Sequence, residues 1–599
     1  MPAMTYINLL LQLSVVGYVK AAALPQTVPT LSNGIKDWLS PPYTPFQAPL
    51  AIMPTSQPKV TYIEPVNGTV IDFFEIDIRQ FTAQTYPLSS GVGPTTYVGY
   101  DGMAPGPTLR MSRGREAVVR FTNSYDRPSS IHLHGSYSRA PWDGWAEDVT
   151  NPGEFKDYYY PNGQPQRTLW YHDHAIGITA VNAYFGQAGF YILTDPEAPT
   201  TLPTGDYDIP LMLAGKVSLY GDVVTVNGVP WPYHQVEPRK YKFRLLDASV
   251  SRSFSLYLVD EANPSVHLPF AVIGADAGFM DHPVTTDSLV IAMAERWEIV
   301  IDFALYQGKS LVLMNERNFQ TNEDYPETNK VIKWIVGSVV TSDENNGPLP
   351  TQLADLTDPG SHTTIDHQFV FERANGQWLI NGVDFEDIPN RILAKPPQGG
   401  VERWRLVNKA GRWSHPIHIH LIDFKVVSRT GGRGVVEEYE AAALKDVVYL
   451  GENEAVEVIA NYQPWGGVYM FHCHNLVHED HDMMAAFNVT DVDLSAFGYP
   501  DNATFTDPMA AIWRSKQRLA ATDLQDIQDN ILPLFAGLGA YPSTEGVEHA
   551  LQDYYIDHVP IDGITPNVKV RNEVERKIRK RKSCSSDGDD GTGDDDNSI

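Results

Sequence analysis

The stretch FHCHNLVHEDHDMM, residues 471–484, places His472, Cys473 and His474 in a row. The residues just before it, GGVYMF, are apolar, aromatic and β-prone, so the triplet is predicted to end a strand. Because alternate side chains of a strand point to opposite faces, the two histidines face one way and the cysteine faces the other. The triplet is therefore predicted to serve two different metal centres.

The cysteine side of this strand predicts a blue-copper site. One thiolate, two imidazoles and a weak thioether are the ligand set of such electron-transfer sites. His478 and Met483 follow Cys473 closely enough to join it, and a second histidine must come from elsewhere. In HPIHIH, residues 415–420, His415 falls on the opposite face from the other two histidines and is predicted to complete the site.

The remaining histidines predict a second, larger centre. Besides the pair in HCH, i, i+2 pairs occur in His-Leu-His-Gly, in His-Asp-His and at the end of HPIHIH, and each pair shares one face of a strand. Eight imidazoles are too many for one ion and suit about three. This cluster contains His132, His134, His172, His174, His418, His420, His472 and His474.

The order HxHG, HxH, HxxHxH and HCHxxxHxxxxM resembles that of the multicopper oxidases. The surrounding stretches HLHGSYSRAPWDGWAEDV, RWSHPIHIHLIDFKVVSRT and HCHNLVHEDHDMMAAFNVT resemble the fungal bilirubin oxidase subfamily. The likeness covers roughly residues 60–500. It implies three cupredoxin domains, with a three-copper cluster between the first and the last.

The resemblance also implies how the ligands are shared out. His132 and His418 would hold the type 2 copper, and the other six clustered histidines would hold the type 3 pair. The usual spacing selects Met483 rather than its neighbour Met484 as the axial ligand of the type 1 copper. Four coppers per chain are implied, and electrons are expected to pass from the type 1 site through Cys473 to its bonded histidine neighbours.

Composition bounds the class of protein. With 599 residues, the chain is expected to form three to four domains. A formal charge of -29 and a pI near 4.9 argue against nucleic acid and anionic membranes as partners. Of the two cysteines, Cys473 is assigned to copper and Cys584 lies in a polar tail, so no internal disulfide is expected. The expected partners are a small-molecule reductant and dioxygen.

The amino terminus predicts export. Residues 7–19, INLLLQLSVVGYV, are apolar but too short to span a membrane, and three alanines follow them. Residues 1–23 are interpreted as a secretory signal peptide, the alternative being a buried first strand. Sequons at Asn67, Asn488 and Asn502 would permit glycosylation of a secreted protein. A monomer is expected, because one chain contains both halves of the cluster.

The fold is predicted to be all-β, with three cupredoxin-like Greek-key sandwiches, because short β-branched runs alternate with Gly, Pro and Asn turns. The second block has no His-x-His pair, so its expected role is spacing and scaffolding. In order, the predicted parts are an extended segment 24–58, cupredoxin domains 59–197 and 198–341, a linker 342–362 and cupredoxin domain 363–500.

The carboxyl end changes in composition. Residues 501–566 are predicted to be helical, with Asp507 as the N-cap and Pro508 opening a helix over MAAIWRSKQRLAA. Residues 567–599 are basic, then acidic, and are expected to be a disordered tail. The basic pair Lys580-Arg581 is compatible with proteolytic processing or, less well, with a nuclear signal.

Four further residues are candidates for roles beside the metals. Reduction of dioxygen to water consumes protons, and Asp143 and Glu479 match the family's relay positions. The alternatives are a turn aspartate and a carboxylate that orients a ligand histidine. Trp413 is expected either at the rim of the blue site, where electrons enter, or packed in the core. Arg412 is a candidate for attracting a carboxylated substrate, or simply a solvated surface residue.

The predicted activity is oxidation of an organic substrate, a tetrapyrrole such as bilirubin or a phenol, coupled to reduction of dioxygen to two waters. A laccase is the nearest alternative, and the motifs do not separate the two. A ferrous or cuprous oxidase is disfavoured because the thirteen methionines form no Met-rich insert. A silent copper-binding protein is disfavoured because every ligand is present.

Overall fold

The computed structural model describes residues 35–86, 88–196, 201–216, 219–356, 359, 362–498, 517–518, 522–537 and 544–557. The predicted signal peptide, the sequon at Asn502 and the predicted tail lie outside these residues. Within them, the strands form six sheets that pair into three sandwiches. Among the same residues, none of the helices has the length and apolar character needed to cross a lipid bilayer.

The first sandwich contains a six-stranded and a four-stranded sheet. In pairing order, the six-stranded sheet contains Val60–Ile63, Val70–Ala83, Glu116–Asn123, Glu154–Tyr160 and Gln517–Arg518, with Thr95–Tyr100 paired to the second of these. The four-stranded sheet contains Leu109–Ser112, Ala188–Thr194, Arg167–Asp173 and Ile131–His134. The sheet that carries the first two histidine pairs is thus the smaller one.

The second sandwich contains a seven-stranded and a six-stranded sheet. The first comprises Val229–Pro230, Val223–Val226, Asp208–Lys216, Lys240–Asp247, Arg296–Asp302, Phe270–Ala275 and Gly278–Thr286. The other comprises Tyr233–Val236, Lys330–Val336, Ser310–Asn315, Phe254–Asp260 and Asn263–Leu268, with Ser288–Ile291 paired to the fourth of these.

The third sandwich contains two five-stranded sheets. One comprises Gln377–Ile380, His367–Ala374, Val401–Asn408, Ala455–Asn461 and Phe424–Thr430. The other comprises Ile392–Ala394, Met484–Val489, Gly467–Cys473, His415–Ile419 and Val447–Leu450. The strand predicted before the His-Cys-His triplet is therefore present and ends at Cys473.

The three sandwiches share one strand arrangement. In each, a central strand lies parallel to an earlier strand on one side and antiparallel to a later strand on the other. The central strands are Glu116–Asn123, Lys240–Asp247 and Val401–Asn408. The similar stretches YKFRLLDAS, residues 241–249, and VERWRLVNKAG, residues 401–411, thus fall on equivalent strands of the second and third sandwiches.

The helical segments are short. They are Thr179–Phe185, Glu438–Ala441, Leu476–Glu479, Leu524–Asp526, the π-helical Ile527–Ile531, Leu532–Gly537 and Thr544–Asp557, with 3₁₀ turns at Leu88–Ser90, Ala140–Trp142, Gly205–Tyr207, Phe303–Tyr306 and Ser495–Phe497. Helix near the carboxyl end is confirmed, but the helix predicted over residues 509–521 is wrong at Gln517–Arg518. Those two residues pair antiparallel with Glu154 and Phe155, because an open sheet edge offers backbone partners there.

The extended segment 24–58 packs on the sandwiches where it is described. Asp222 accepts hydrogen bonds from the backbone of Leu39 and Ser40, and Tyr43 stacks on Trp231 with 5.7 Å between ring centroids. It has no regular strand or helix among its described residues.

The buried core of the first sandwich continues into the third. Ile131 and Leu133 belong to the same cluster of buried apolar side chains as Ile417 and Phe471, whereas the second sandwich is centred on a separate cluster. Burial of such a continuous apolar surface is the main force that holds two sandwiches together. The first and third sandwiches therefore share a continuous buried interface. The eight histidines predicted to form the cluster lie in this interface.

Candidate metal centre

The four His-x-His pairs are brought together by strand pairing. In the first sandwich, pairing sets His132 directly opposite His172. In the third, it sets His418 opposite His472. All eight clustered histidines are at most 1% exposed. They are His132, His134, His172 and His174 from the first sandwich, and His418, His420, His472 and His474 from the third.

The ring nitrogens of the eight histidines form three groups of three, with all ligand atoms of a group within 4.8 Å of one another. The groups are His132, His134 and His418; His134, His172 and His474; and His174, His420 and His472. The second and third groups together use six different histidines. His134 of the first group is also in the second group, so the pair His132 and His418 remains for the first group. Since every group takes rings from both sandwiches, the site exists only at their interface.

The chemistry of the pair His132 and His418 fits a metal ion. The Nδ1 of His132 donates to the carbonyl of Asp143 at 2.5 Å, and the Nδ1 of His418 donates to the carbonyl of Asp446 at 2.8 Å. A neutral imidazole that donates from Nδ1 has only a lone pair at Nε2. The two Nε2 atoms lie 3.4 Å apart. A metal cation bound by both rings would satisfy these two facing lone pairs.

Other rings also present buried nitrogens without a partner among the described residues. These atoms are Nδ1 of His134, Nε2 of His172 and both ring nitrogens of His474. The opposite nitrogen of His134 lies 3.1 Å from Oδ1 of Asp446, and that of His172 donates to the carbonyl of Asp173. Fixing one nitrogen so that the other is free is how proteins prepare a histidine for a metal.

The third group has the same character. The Nε2 of His472 lies 3.2 Å from the Nε2 atoms of both His174 and His420. Burial lowers the pKa of His174 to about 4 and that of His172 to about 3, and burial also lowers the pKa of His420. Neutral rings of this kind have the lone pairs that a metal ion requires.

Asp143 and Glu479 both contact clustered histidines. Oδ2 of Asp143 accepts from Nδ1 of His420 at 2.8 Å, and burial raises the pKa of Asp143 well above its usual range. Oε2 of Glu479 lies 3.2 Å from Nδ1 of His472. Burial raises the pKa of Glu479, but His472 and His174 more than offset this and hold it below its ordinary value. Each acid therefore orients a ring, and neither is a simple turn residue.

The predicted blue site forms a separate buried group. Sγ of Cys473 lies 3.2 Å from Nδ1 of His415 and 3.6 Å from Nδ1 of His478, and the two nitrogens are 3.1 Å apart. The turn that carries His478 begins at Asn475, whose side chain accepts from the amide of Val477 as an N-cap. Burial raises the pKa of the Cys473 thiol and lowers that of His415 to about 3.

The two neighbouring methionines are directed into different surroundings. Met483 is fully buried in the same apolar cluster as Cys473, and its carbonyl accepts from the Cys473 amide at 3.0 Å. Met484 opens the next strand and packs in another cluster with Trp145 and Phe385. This difference is consistent with the choice of Met483 made from the sequence.

Two tryptophans lie against His478. The ring centroid of Trp378 is 3.9 Å from that of His478, and the centroid of Trp413 is 5.1 Å away. The two indoles contact each other edge to face, at 5.6 Å. Trp378 is buried and Trp413 is half-buried, while Arg412 is exposed.

Sequence reasoning missed Trp378 and Asp446. Trp378 lies on the short strand Gln377–Ile380, one hundred residues before His478. The sequence around it contains no motif that indicates a metal site. The sequence signal for Asp446 is a carboxylate just before the buried apolar strand Val447–Leu450, where a charged residue needs a partner.

A buried thiol between two imidazoles, together with eight clustered imidazoles in paired β-sandwiches, presents two separate sets of ligands of the types that copper takes in proteins. The family model described as "Multicopper oxidase" matches residues 351–493, and a second model of the same description matches residues 82–198. The chain belongs to the multicopper oxidase family, as a copper oxidoreductase that couples oxidation of a substrate to reduction of dioxygen.

The similar proteins agree with this assignment. The chain is 50% identical over 525 residues to a bilirubin oxidase of Albifimbria verrucaria, covering 83% of this chain and 90% of that one. It is 32% identical to a laccase of Bacillus stratosphericus, covering 66% of this chain and 91% of that one. The crystal structure of a variant of a multicopper oxidase from Aquifex aeolicus matches the fold with a TM-score of 0.65 at 24% identity, covering 74% of this chain and 99% of that one.

Proposed function

We propose that the chain holds four coppers and oxidises an organic reductant, a tetrapyrrole or a phenol, while reducing dioxygen to two waters. The type 1 copper would be held by His415, Cys473, His478 and Met483. The type 2 copper would be held by His132 and His418. The type 3 pair would be held by two sets of three rings, His134, His172 and His474 in one and His174, His420 and His472 in the other.

The observation that carries this proposal is the pair of Nε2 lone pairs of His132 and His418, 3.4 Å apart. Each ring is fixed by a backbone carbonyl, so neither can turn its proton toward the other. The two rings come from different sandwiches. A cation bound by both rings would therefore link the first and third sandwiches as well as occupy the site.

Bound copper supplies one-electron redox chemistry and a place for dioxygen. The protein supplies the connection between the sites, because Cys473 of the blue site is bonded through the backbone to His472 and His474 of the cluster. This is the shortest covalent route between the two centres. Full burial of all three side chains excludes water from that route.

The two acids proposed to pass protons for water formation already contact the cluster. Burial raises the pKa of Asp143, which favours a proton on its carboxyl group beside His420. Its Oδ1 has no hydrogen-bond partner among the described residues and lies 3.5 Å from Nδ1 of His132. Oε2 of Glu479 lies 3.2 Å from Nδ1 of His472 on the other side of the cluster. A relay role for both acids is the proposal, and their contacts with the clustered histidines support it.

Electrons enter beside His478. Trp378 packs against the imidazole of His478. Trp413, which is half-buried, contacts the same imidazole and is accessible from the surface. A planar aromatic surface of this kind suits a conjugated reductant. The 50% identity to a bilirubin oxidase supports bilirubin, and the similarity to laccases supports phenols. The exposed Arg412 nearby in sequence would favour a carboxylated substrate.

The protein is proposed to be secreted, glycosylated and monomeric. The apolar amino terminus supports export. Asn67 is exposed and so accessible to glycosylation. Both halves of the cluster come from one chain, which removes the need for a partner subunit.

Oxygen uptake by the copper-loaded, purified protein tests the function. Catalytic efficiency is compared for bilirubin and a simple phenol, with Cys473→Ser as the control. Preference for bilirubin supports a bilirubin oxidase, and preference for the phenol supports a laccase. Absence of oxygen uptake with both substrates in a fully coppered protein would contradict the proposed activity.

A further inference from the structure

The second sandwich, which has no His-x-His pair, nevertheless reaches the proposed copper cluster through one buried carboxylate. Oδ1 of Asp446 lies 3.1 Å from Nε2 of His134, and the Asp446 carbonyl accepts from Nδ1 of His418 at 2.8 Å. Asp446 thus holds a ring from the first sandwich and a ring from the third. Its position decides where both imidazoles point.

Asp446 is itself held by an arginine from the second sandwich. Nη1 of Arg296 donates to Oδ1 of Asp446 at 2.7 Å, and Nη2 contacts the second oxygen, so the pair is bidentate. The guanidinium also donates to the carbonyl of Thr168 in the first sandwich at 3.1 Å. Arg296 and Asp446 are at most 1% exposed. One side chain therefore ties all three sandwiches together beside the cluster.

A second ion pair supports the first. Asp276 of the second sandwich accepts from the backbone amides of Arg296 and Asp446, at 2.7 and 3.2 Å. Nζ of Lys445 lies 2.9 Å from the Asp276 carboxylate and 3.1 Å from that of Glu295. Each of these buried charged side chains has an oppositely charged partner within the protein, and removal of one partner of a buried pair is strongly destabilising.

Gly135 follows His134 where this network lies against the first sandwich. A Cβ at this position would be 2.7 Å from Nη2 of Arg296 and 2.8 Å from Oδ2 of Asp446, and its φ is +85°. No other residue type fits there without displacing the ion pair. The glycine of the HxHG motif is thus explained by close approach of an arginine from a different sandwich.

We propose that Arg296 is a positioning residue for the copper cluster, acting through Asp446 on His134. By holding the carboxylate against Nε2, it turns Nδ1 of His134, which has no partner among the described residues, toward the group that contains His172 and His474. This inference rests on the proposed four-copper function. Loss of an outer partner of a metal-binding histidine weakens metal binding by about 10- to 100-fold.

The test is retention of copper by Arg296→Lys in the full-length protein during titration with a chelator. Lysine keeps the charge but cannot form the bidentate pair. We expect the type 2 and type 3 coppers to be lost at about 10- to 100-fold lower chelator concentration. The blue absorption per chain should stay at the wild-type value, because His415 and Cys473 do not contact this network. The measurements are the number of coppers bound per chain and the electron paramagnetic resonance signal of the type 2 copper.

Arg244→Lys is the matched control. Arg244 lies on the neighbouring strand, is buried, and forms its own bidentate pair with Asp208 while donating to the hydroxyl of Thr168. Its partners do not hold a clustered histidine. Copper retention should therefore match the wild type. If Arg296→Lys and Arg244→Lys lost cluster copper equally, the cause would be a general weakening of the buried packing, and the positioning role of Arg296 would be overturned.

Asp446→Asn is the second variant, for use if Arg296→Lys does not fold. It keeps the side-chain shape but leaves the charged guanidinium of Arg296 beside a neutral amide, and we expect the same selective loss of cluster copper. Wild-type retention in a folded variant would overturn the inference. Fewer than four coppers in the wild-type protein would instead contradict the proposed function, so the two failures are distinguishable.

Discussion

The two proposed metal centres differ in how they are built. The blue site takes its residues from 415–483 of the third sandwich alone, whereas the cluster takes rings from both the first and the third sandwiches. The cluster also depends on carboxylates and carbonyls that cross between sandwiches, such as Asp143 and Asp446. The residues of the proposed blue site are therefore brought together within one domain, whereas those of the proposed cluster are brought together only where the first and third sandwiches pack on each other.

The largest effect is expected for Cys473→Ser. A hydroxyl replaces the thiolate, so the blue absorption and the oxidation of substrate should both fall to background. The histidines of the cluster do not need the sulfur to be placed, so three coppers should remain bound and the fold should persist. Visible spectra, metal analysis and oxygen uptake measure these quantities. Retained substrate oxidation would contradict the electron route through Cys473.

A large effect is also expected for Asp143→Asn. The amide oxygen can still accept from His420, so copper content and blue absorption should be preserved. Loss of the acidic proton should lower kcat by about 100-fold or more. Stopped-flow reduction of the blue site without oxygen should proceed at the wild-type rate. An unchanged kcat would remove Asp143 from the proton route.

Phe535→Ala tests the packing of the carboxyl-terminal helical segment on the first sandwich, next to the proposed cluster, without touching a ligand. Phe535 of the carboxyl-terminal helical segment is buried against Tyr159, at 5.1 Å, and Trp142, the residue before Asp143. Its removal should lower the free energy of unfolding by about 3–5 kcal/mol. In denaturant, cluster copper should be released before the blue absorption fades. Leu524→Ala, at a site 42% exposed, is the control and should change stability by less than about 0.5 kcal/mol.

The smallest effect is expected for Met483→Leu. Removal of the axial thioether should raise the reduction potential of the blue site and leave cluster copper unchanged. A redox titration followed at the blue absorption measures this shift. Met484→Leu is the control, because that side chain packs in a different cluster. An equal shift in both variants would show that Met483 is not the axial ligand.

Sequence reasoning succeeded where a strand imposes its own geometry. Alternation along a strand predicted that His472 and His474 separate from Cys473, and the same rule grouped the other pairs. It could not predict the contacts of Asp446, Arg296 or Trp378, because these contacts arise from packing between segments far apart in the chain. The helix over residues 509–521 failed at its described residues for a related reason, since a neighbouring sheet edge outweighed local preference there.

The most direct test is anomalous X-ray diffraction at the copper edge from crystals of the copper-loaded protein. Four peaks are predicted for each chain. One should lie between His415, Cys473 and His478, and three should lie among the eight histidines where the first and third sandwiches meet. A single peak among those eight histidines, or an empty interface beside an occupied blue site, would contradict a cluster assembled from two domains.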